Sequence, residues 1–260
     1  MFKLLIVLLS ILVFMTAASA QQISSAARSE LTPTGKLRVS INFGNALLTR
    51  KDANGVPGGI AVDLAQELGR RVGAPVEIVG YDGAGEMADG AKAGAWDVAF
   101  LGADPARAQD IAFTAAYVEI ESTYLVPAGS PLRAIADVDR EGVRIAVSDR
   151  SAYDLFLTRS LKRAQLVRAP GVDASVDLFF AERLDALAGL KPQLVDVAAR
   201  QPGSRVLDGR FTSVQQAVGT PKGRDAAARY LSDFVRDIKA SGLLAETIEK
   251  NGIRGVSAAP

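Results

Sequence analysis

Cysteine and histidine are both absent from this chain of 260 residues. That removes disulfides, Cys/His zinc sites, Ser-His-Asp and Cys-His nucleophiles, and any histidine general base or pH switch. Chemistry must rest on carboxylates, Lys, Arg, Tyr, Ser and Thr. Two clusters of such residues stand out. Arg107 opens the run Arg107 to Tyr117 (RAQDIAFTAAY), with Asp104 before it and Asp110 after it. A guanidinium is a planar donor fork that holds a carboxylate bidentately and keeps its charge. A surface pairing with Asp104 or Asp110 is the other use open to Arg107. Ser148-Asp149-Arg150-Ser151 precedes a helical stretch, and Ser151 with Asp154 has the spacing of an N-cap with an acidic third residue. The N–H groups of such a helix start serve a plain cap or an anion. No metal site and no cofactor is expected.

Lys plus Arg total 30 and Asp plus Glu total 29, with 6% aromatic residues. A nearly neutral chain lacks the basic footprint that nucleic-acid binding needs. Residues 1–20 read as a cleavable signal peptide: Lys3 is followed by the apolar run Leu4 to Met15, and Ala18-Ser19-Ala20 suits the cleavage site. The apolar core is shorter than the ~20 residues of a spanning helix. Cleavage removes Lys3 and no acid, leaving 29 basic and 29 acidic residues. Without a cysteine to lipidate, the product is expected to diffuse freely in the periplasm.

Apolar periodicity then sets out the elements that must position these residues. After a flexible leader at 21–33, strands are expected at Lys36–Ile41, Pro75–Val79, Asp97–Leu101, Val143–Val147, Gln165–Arg168, Asp185–Ala188 and Val214–Val218, with extended stretches at Ile111–Phe113 and Thr123–Val126. Helices are expected at Ile60–Val72, Glu86–Ala93, Ser151–Ser160, Val176–Ala181, Pro192–Arg200, Arg224–Ala240 and Leu243–Asn251. Asp52-Ala53-Asn54-Gly55 is a turn signal. Repeated strand–helix units argue for an α/β fold with mainly parallel sheets. The break at Gly129-Ser130-Pro131 divides them into two lobes.

Several segments then resemble the family 3 bacterial solute-binding proteins of the polar-amino-acid type. Gly59-Ile60-Ala61-Val62-Asp63-Leu64 resembles the family's G-F-x-x-D-L signature. Gly94-Ala95-Trp96-Asp97-Val98 resembles its G-x-x-D, and Arg107 to Tyr117 its T-x-x-R…F-S-x-P-Y segment. Gly142 to Ser151, Glu182 to Ala186 and the closing helices follow in the family's order. The resemblance implies a type II periplasmic-binding-protein fold, with two mainly parallel sheets joined by two hinge strands and one ligand in the cleft. Lobe 1 would take 34–122 and return at 219–255, lobe 2 would take 123–218, and 256–260 would be a tail.

By that resemblance Arg107 grips the ligand carboxylate, and Ser148, Arg150 and Ser151 form the lobe-2 turn facing the cleft. Asn42 and Asn45 stand where the family places an acid and an aromatic. Gly102 and Asp104 replace hydroxyl residues, and Tyr117 could face the cleft. The stretch Leu187-Ala188-Gly189-Leu190-Lys191, with the candidate Leu190, falls where an acid would hold an α-ammonium and contains none. Gly83-Ala84-Gly85 offers no ring where the family has one. The carboxylate grip is therefore retained and the ammonium grip lost, which favours an organic anion over a standard α-amino acid. Glu119 and Glu121 at the first crossing, and Gln215 or Gln216 at the second, are further candidates. Trp96 and Phe113 read as core, Asp63 and Asp97 as structural.

The expected function is that of a monomeric, non-catalytic binding component of an ABC importer, which delivers a small solute to a membrane permease. Two alternatives share the fold: a periplasmic dehydratase, which would need a cleft acid in lobe 2, and a binding protein that presents its ligand to a signalling receptor.

Overall fold

Residues 22–260 are described by the computed structural model; the expected signal peptide lies outside the described residues. Lobe 1 begins with α1 (Ser25–Leu31), β1 (Leu37–Asn42), a hairpin of β2 (Arg50–Lys51) and β3 (Pro57–Gly58), α2 (Ile60–Val72), β4 (Val76–Tyr81), α3 (Ala84–Asp89), β5 (Val98–Gly102) and β6 (Ile111–Val126). Lobe 2 follows with β7 (Arg144–Ser148), α4 (Ala152–Ser160), β8 (Gln165–Ala169), α5 (Val172–Ala181), β9 (Ala186–Leu190), α6 (Lys191–Arg200) and β10 (Arg205–Val206). The chain returns along β11 (Thr212–Pro221) to α7 (Asp225–Ala240), α8 (Leu243–Asn251) and β12 (Ser257–Ala258).

The strand order β4-β1-β5-β11-β6-β9-β7-β8 explains the two lobes. β4, β1 and β5 are parallel, as are β9, β7 and β8. The long strands β6 and β11 run antiparallel between the two groups. Hydrogen bonding therefore continues through the hinge, and the two expected sheets form one ladder. Up to Ser122, β6 pairs with β11; from Ser122 to Leu125 it pairs with β9. The separate extended stretches expected at 111–113 and 123–126 are two ends of this one strand. β11 joins β5 from Gln216 onwards, ahead of the return expected at 219.

Helix α2 shows how sequence becomes packing here. Ile60, Leu64, Leu68 and Val72 recur every four residues, and each is buried. Burying side chains of this size contributes about 1.5–3 kcal/mol apiece. Gly59 enters the helix at φ 107°, and a Cβ there would lie 2.6 Å from the Leu48 carbonyl oxygen, so both backbone and space require glycine. Asp63 projects to α8, where it accepts from Lys250 Nζ at 3.1 Å and Asn251 Nδ2 at 3.0 Å. The acid of this motif thus pins the closing helix.

Asp97 is fully buried at the start of β5. It accepts from Arg38 Nε at 2.9 Å, Arg38 Nη2 at 2.8 Å and Arg224 Nη1 at 2.8 Å. One carboxylate so ties β1, β5 and the start of α7. Beside it Trp96 is buried, its indole donating to the Met87 carbonyl at 2.9 Å.

Two terminal expectations are corrected. The segment expected to be a flexible leader forms α1, whose Ala27 and Leu31 are buried. Glu30 accepts from Ala227 N at 2.8 Å and so caps α7, whose own N-cap residue supplies no side-chain bond. The expected tail supplies β12 on the edge of β6, with Val256 and Ala259 buried. Both corrections share a cause: polar, small residues hid amphipathic contacts that only the neighbouring helix and strand create. Among the described residues no helix is long and apolar enough to cross a membrane.

Replacing Asp97 by Ala would leave Arg38 and Arg224 without their shared partner. Loss of one member of a buried pair costs about 3–5 kcal/mol. Urea unfolding of Asp97→Ala is expected to show a destabilisation of that order, whereas Asp63→Ala, which loses partly exposed partners, is expected to cost less.

Candidate functional site

The carboxyl ends of parallel strands from both lobes meet in one cleft, the usual binding position of open α/β sheets. Lobe 1 contributes Asn42 from the end of β1, the loop with Gly44, Asn45 and Thr49, Asp82 after β4, and Phe100 to Gly102 of β5. Lobe 2 contributes Ser148 from β7, Ser151 to Tyr153 at the start of α4, Gly171 and Val172 at α5, Leu190 of β9 and Gln193 of α6. Val214 and Gln216 of the crossing strand β11 close the hinge side. The lobes are closed on each other, and the cavity volume is about 50 Å³.

Arg107 lies at the seam, on a 3-10 turn after β5, and is 6% exposed. Its Nη1 donates to the Gly102 carbonyl of its own lobe at 2.7 Å. Its Nη2 donates to the Arg150 carbonyl of lobe 2, also at 2.7 Å. Two of the five guanidinium N–H donors are thereby committed and three stay available. Burial pulls its pKa down to about 10, with Asp104 opposing and Arg150 adding to the shift, so Arg107 is still a cation at neutral pH. A cation held in so dry a place favours an anion beside it. Gly102 is glycine for space: a Cβ there would lie 3.0 Å from Val214 Cγ1 and 3.2 Å from the Ala152 methyl carbon.

The lobe-2 turn is built as a cap. Ser151 Oγ accepts from Asp154 N at 3.1 Å, and Asp154 accepts from Arg150 N at 2.8 Å. Asp154 is itself buried and paired with Arg168 at 3.0 Å. Tyr153 is buried beside this turn, and burial pushes its phenol pKa up to about 12. Ser148 and Ser151 both line the cavity, so cap and cleft share this turn.

Of the expected ligand residues, Asn42, Asn45, Gly102, Arg107, Ser148, Ser151 and Leu190 line one cavity. Three others stand elsewhere. Asp104 accepts from Ala106 N at 2.8 Å and pairs with Arg159 of α4 at 2.8 Å, so its charge is used across the lobe boundary. The Arg150 side chain leaves the cavity for Asp89 of lobe 1 at 2.7 Å and contributes its carbonyl instead. Gly85 makes this route open, since a Cβ there would lie 2.5 Å from Arg150 Nε. Tyr117 is fully buried in the core, edge-on to Phe100 at 5.7 Å. Its direction was not legible because neighbouring strand residues alternate faces, and β6 carries bulges beside it.

Glu121 faces outward, bonded by Lys191 at 3.0 Å and Arg210 at 2.7 Å, and these hydrogen bonds hold its carboxyl below the ordinary range. Of the glutamine pair, Gln216 lines the cavity and Gln215 spends its carbonyl on Ala103 N at 2.7 Å. Thr49, Asp82, Tyr153 and Gln193 were not singled out from the sequence. The signal available for Asp82 and Gln193 was their place just after a strand end.

Across residues 37–252 the sequence matches the bacterial extracellular solute-binding proteins, family 3. The chain belongs to that family. It is 24% identical to a cyclohexadienyl dehydratase of Pseudomonas aeruginosa, over 95% of this chain and 94% of that one. A solute receptor for L-cysteine from Neisseria gonorrhoeae superposes with a TM-score of 0.76 at 22% identity, over 89% of this chain and 96% of that one. An amino acid ABC transporter substrate-binding protein of Streptococcus pneumoniae, bound to L-arginine, gives a TM-score of 0.72 at 18% identity, over 86% and 98%. At these identities the structures share the type II periplasmic-binding-protein fold.

The Asp104–Arg159 and Asp89–Arg150 pairs both join lobe 1 to lobe 2 in the closed form. Arg159→Ala strands the buried Asp104 only when the lobes are closed. Small-angle scattering of ligand-free protein is expected to show a larger radius of gyration for Arg159→Ala than for the parent. An unchanged radius would show that this pair does not hold the lobes together.

Proposed function

We propose that the protein is the periplasmic binding component of an ABC importer. In this reading residues 1–20 direct export and are removed, the mature monomer captures a small carboxylate-bearing solute between its lobes, and the closed form docks on a membrane permease. The observation that carries the carboxylate is Arg107, buried at the seam with donors to spare and held by both lobes. Because it bonds to lobe 2 only on closure, ligand capture and hinge closure act on the same guanidinium. Motion about the crossing strands β6 and β11 is of the hinge type.

The reading is of binding without catalysis. Among the residues lining the cavity, Asp82 is the one carboxylate, and it is largely exposed. Lys191, just past the position of the missing lobe-2 acid, is directed to Glu121 outside the cavity. In the stretch 187–191, where the resemblance places an acid for an α-ammonium, the residue that lines the cavity is Leu190, 5% exposed. An ammonium against leucine would lose its hydration with nothing to replace it.

A thermal-shift screen of amino acids, keto acids, dicarboxylates and aromatic acids tests this reading, since a ligand of the native state raises Tm. Calorimetry with any carboxylate hit is expected to show binding abolished in Arg107→Ala, with the circular dichroism unchanged. Retained affinity in that variant would overturn the assignment of Arg107. Conversion of a hit to product, followed by chromatography, would replace the transport reading by an enzymatic one. Leu190→Asp is expected to gain affinity for an α-amino acid at least tenfold, because it restores an anion where the ammonium would lie.

A further inference from the structure

The cleft cavity is small, and its walls are core. About 50 Å³ lies between the lobes. One water needs roughly 10–15 Å³, and an apolar cavity of roughly 150 Å³ holds a benzene ring. On that scale this cavity takes about three to five water-sized groups and no ring. Its apolar lining comes from lobe 1 (Leu48 and Phe100), from lobe 2 (Tyr153 and Leu190) and from Val214 of the crossing strand β11. All five side chains are buried and belong to a single hydrophobic cluster. Phe100 is backed in turn by the Tyr117 ring, edge-on at 5.7 Å. Next to Arg107 the walls already touch: a Cβ on Gly102 would lie 3.0 Å from Val214 Cγ1, 3.2 Å from the Ala152 methyl carbon and 3.6 Å from Arg107 Nη1. The polar lining is fixed as well, since Asn42 Oδ1 accepts from Gly44 N, Thr49 donates to the Asn42 carbonyl and Ser151 caps α4.

Walls packed to core density resist even one extra methylene. The other way to gain room is to separate the lobes, which breaks the Arg107–Arg150 hydrogen bond and the Asp104–Arg159 pair. Charge leaves the choice of substituent open, because the lining holds both the Arg107 cation and the carboxylate of the exposed Asp82. Simple acids and amino acids are therefore both admitted by charge, and length is what the walls limit. We infer that the cleft is a length filter, which closes on carboxylates of two or three carbons and not on longer or ring-bearing ones, with Leu190 and Val214 setting the limit. This deepens the carboxylate reading above and rests on it. Leu190 comes from lobe 2 and Val214 from the hinge, and both are aliphatic, so truncating either side chain removes volume without removing a charge or a side-chain hydrogen bond.

Two homologous series test it by calorimetry on the mature protein. One is acetate, propionate, butyrate, valerate and hexanoate, with benzoate as the ring. The other is glycine, alanine, 2-aminobutyrate, norvaline and norleucine. Whichever series binds is expected to break at the same length. Affinity should rise about fourfold from two carbons to three, the gain of one buried methylene, and fall at least tenfold from three carbons to five. A longer acid that still binds is expected to leave a larger radius of gyration in small-angle scattering than the two-carbon member does. In Leu190→Ala and Val214→Ala, each checked for folding by circular dichroism, the best length is expected to move up by one or two carbons. A merely structural role of these side chains would weaken every length alike, and would overturn their assignment; either variant suffices if the other does not fold. Affinity that keeps rising through five and six carbons, or benzoate bound as tightly as propionate, with the radius unchanged, would overturn the length filter and leave the carboxylate reading standing. So would a wider screen in which only larger carboxylates bind and binding is lost in Arg107→Ala. If no carboxylate in the series or in the wider screen binds, the carboxylate reading itself fails, and this inference with it.

Discussion

A buried guanidinium must find acceptors, and Arg107 finds one on each side of the lobe boundary. That constraint organises the molecule. The Gly102 carbonyl is fixed at the end of a central strand, so the cation has a permanent seat in lobe 1. The Arg150 carbonyl comes from lobe 2. Its position depends on a turn with Arg150 at φ 50°, in the left-handed region, held by Asp154 on one side and the Arg150–Asp89 pair on the other. The contact between the lobes is thus written into the hydrogen-bonding needs of one residue.

The scaffold serves this arrangement through two continuous strands. β6 and β11 belong to both lobes, so the cleft walls are connected by main-chain hydrogen bonds. Asp97 and Asp63 act further away. The first locks β1, β5 and α7 around a single carboxylate, and the second pins α8 to α2. With lobe 1 so braced, the loops at the strand ends can carry polar groups that serve the cleft. The acids and bases of the boundary, Asp104 with Arg159 and Asp89 with Arg150, neutralise each other, and Arg107 is left as the cation of the cavity.

The fold was legible where periodicity was strong. The four-residue spacing in α2 and the apolar runs of β5 and β7 marked buried elements, and the ordered motifs resembled one family. The ends of the chain were not legible. α1 and β12 are polar and short, and they are stable because Glu30 reaches α7 and because β6 offers a free edge. Within the site, Arg107 and the serine turn stood out by residue type. Asp104 and Arg150 did not separate from them in sequence, because the partners that take their charges, Arg159 and Asp89, are more than fifty residues away.

By itself the sequence determined which chemistry was available. Without cysteine or histidine the site had to be made of Arg, Ser, Asn, Gln and carboxylates, and the stretch 187–191 had no acid where a resembling chain would have one. Local spacing also determined most helices and strands, because periodicity depends only on neighbours along the chain. Tertiary structure alone decided which charges are spent and which are free. A guanidinium or an amide has the same donors and acceptors wherever it lies. Only the tertiary structure shows that Asp104 and Arg150 are satisfied elsewhere, that Tyr117 is core, and that Arg107 is buried at the seam with donors to spare.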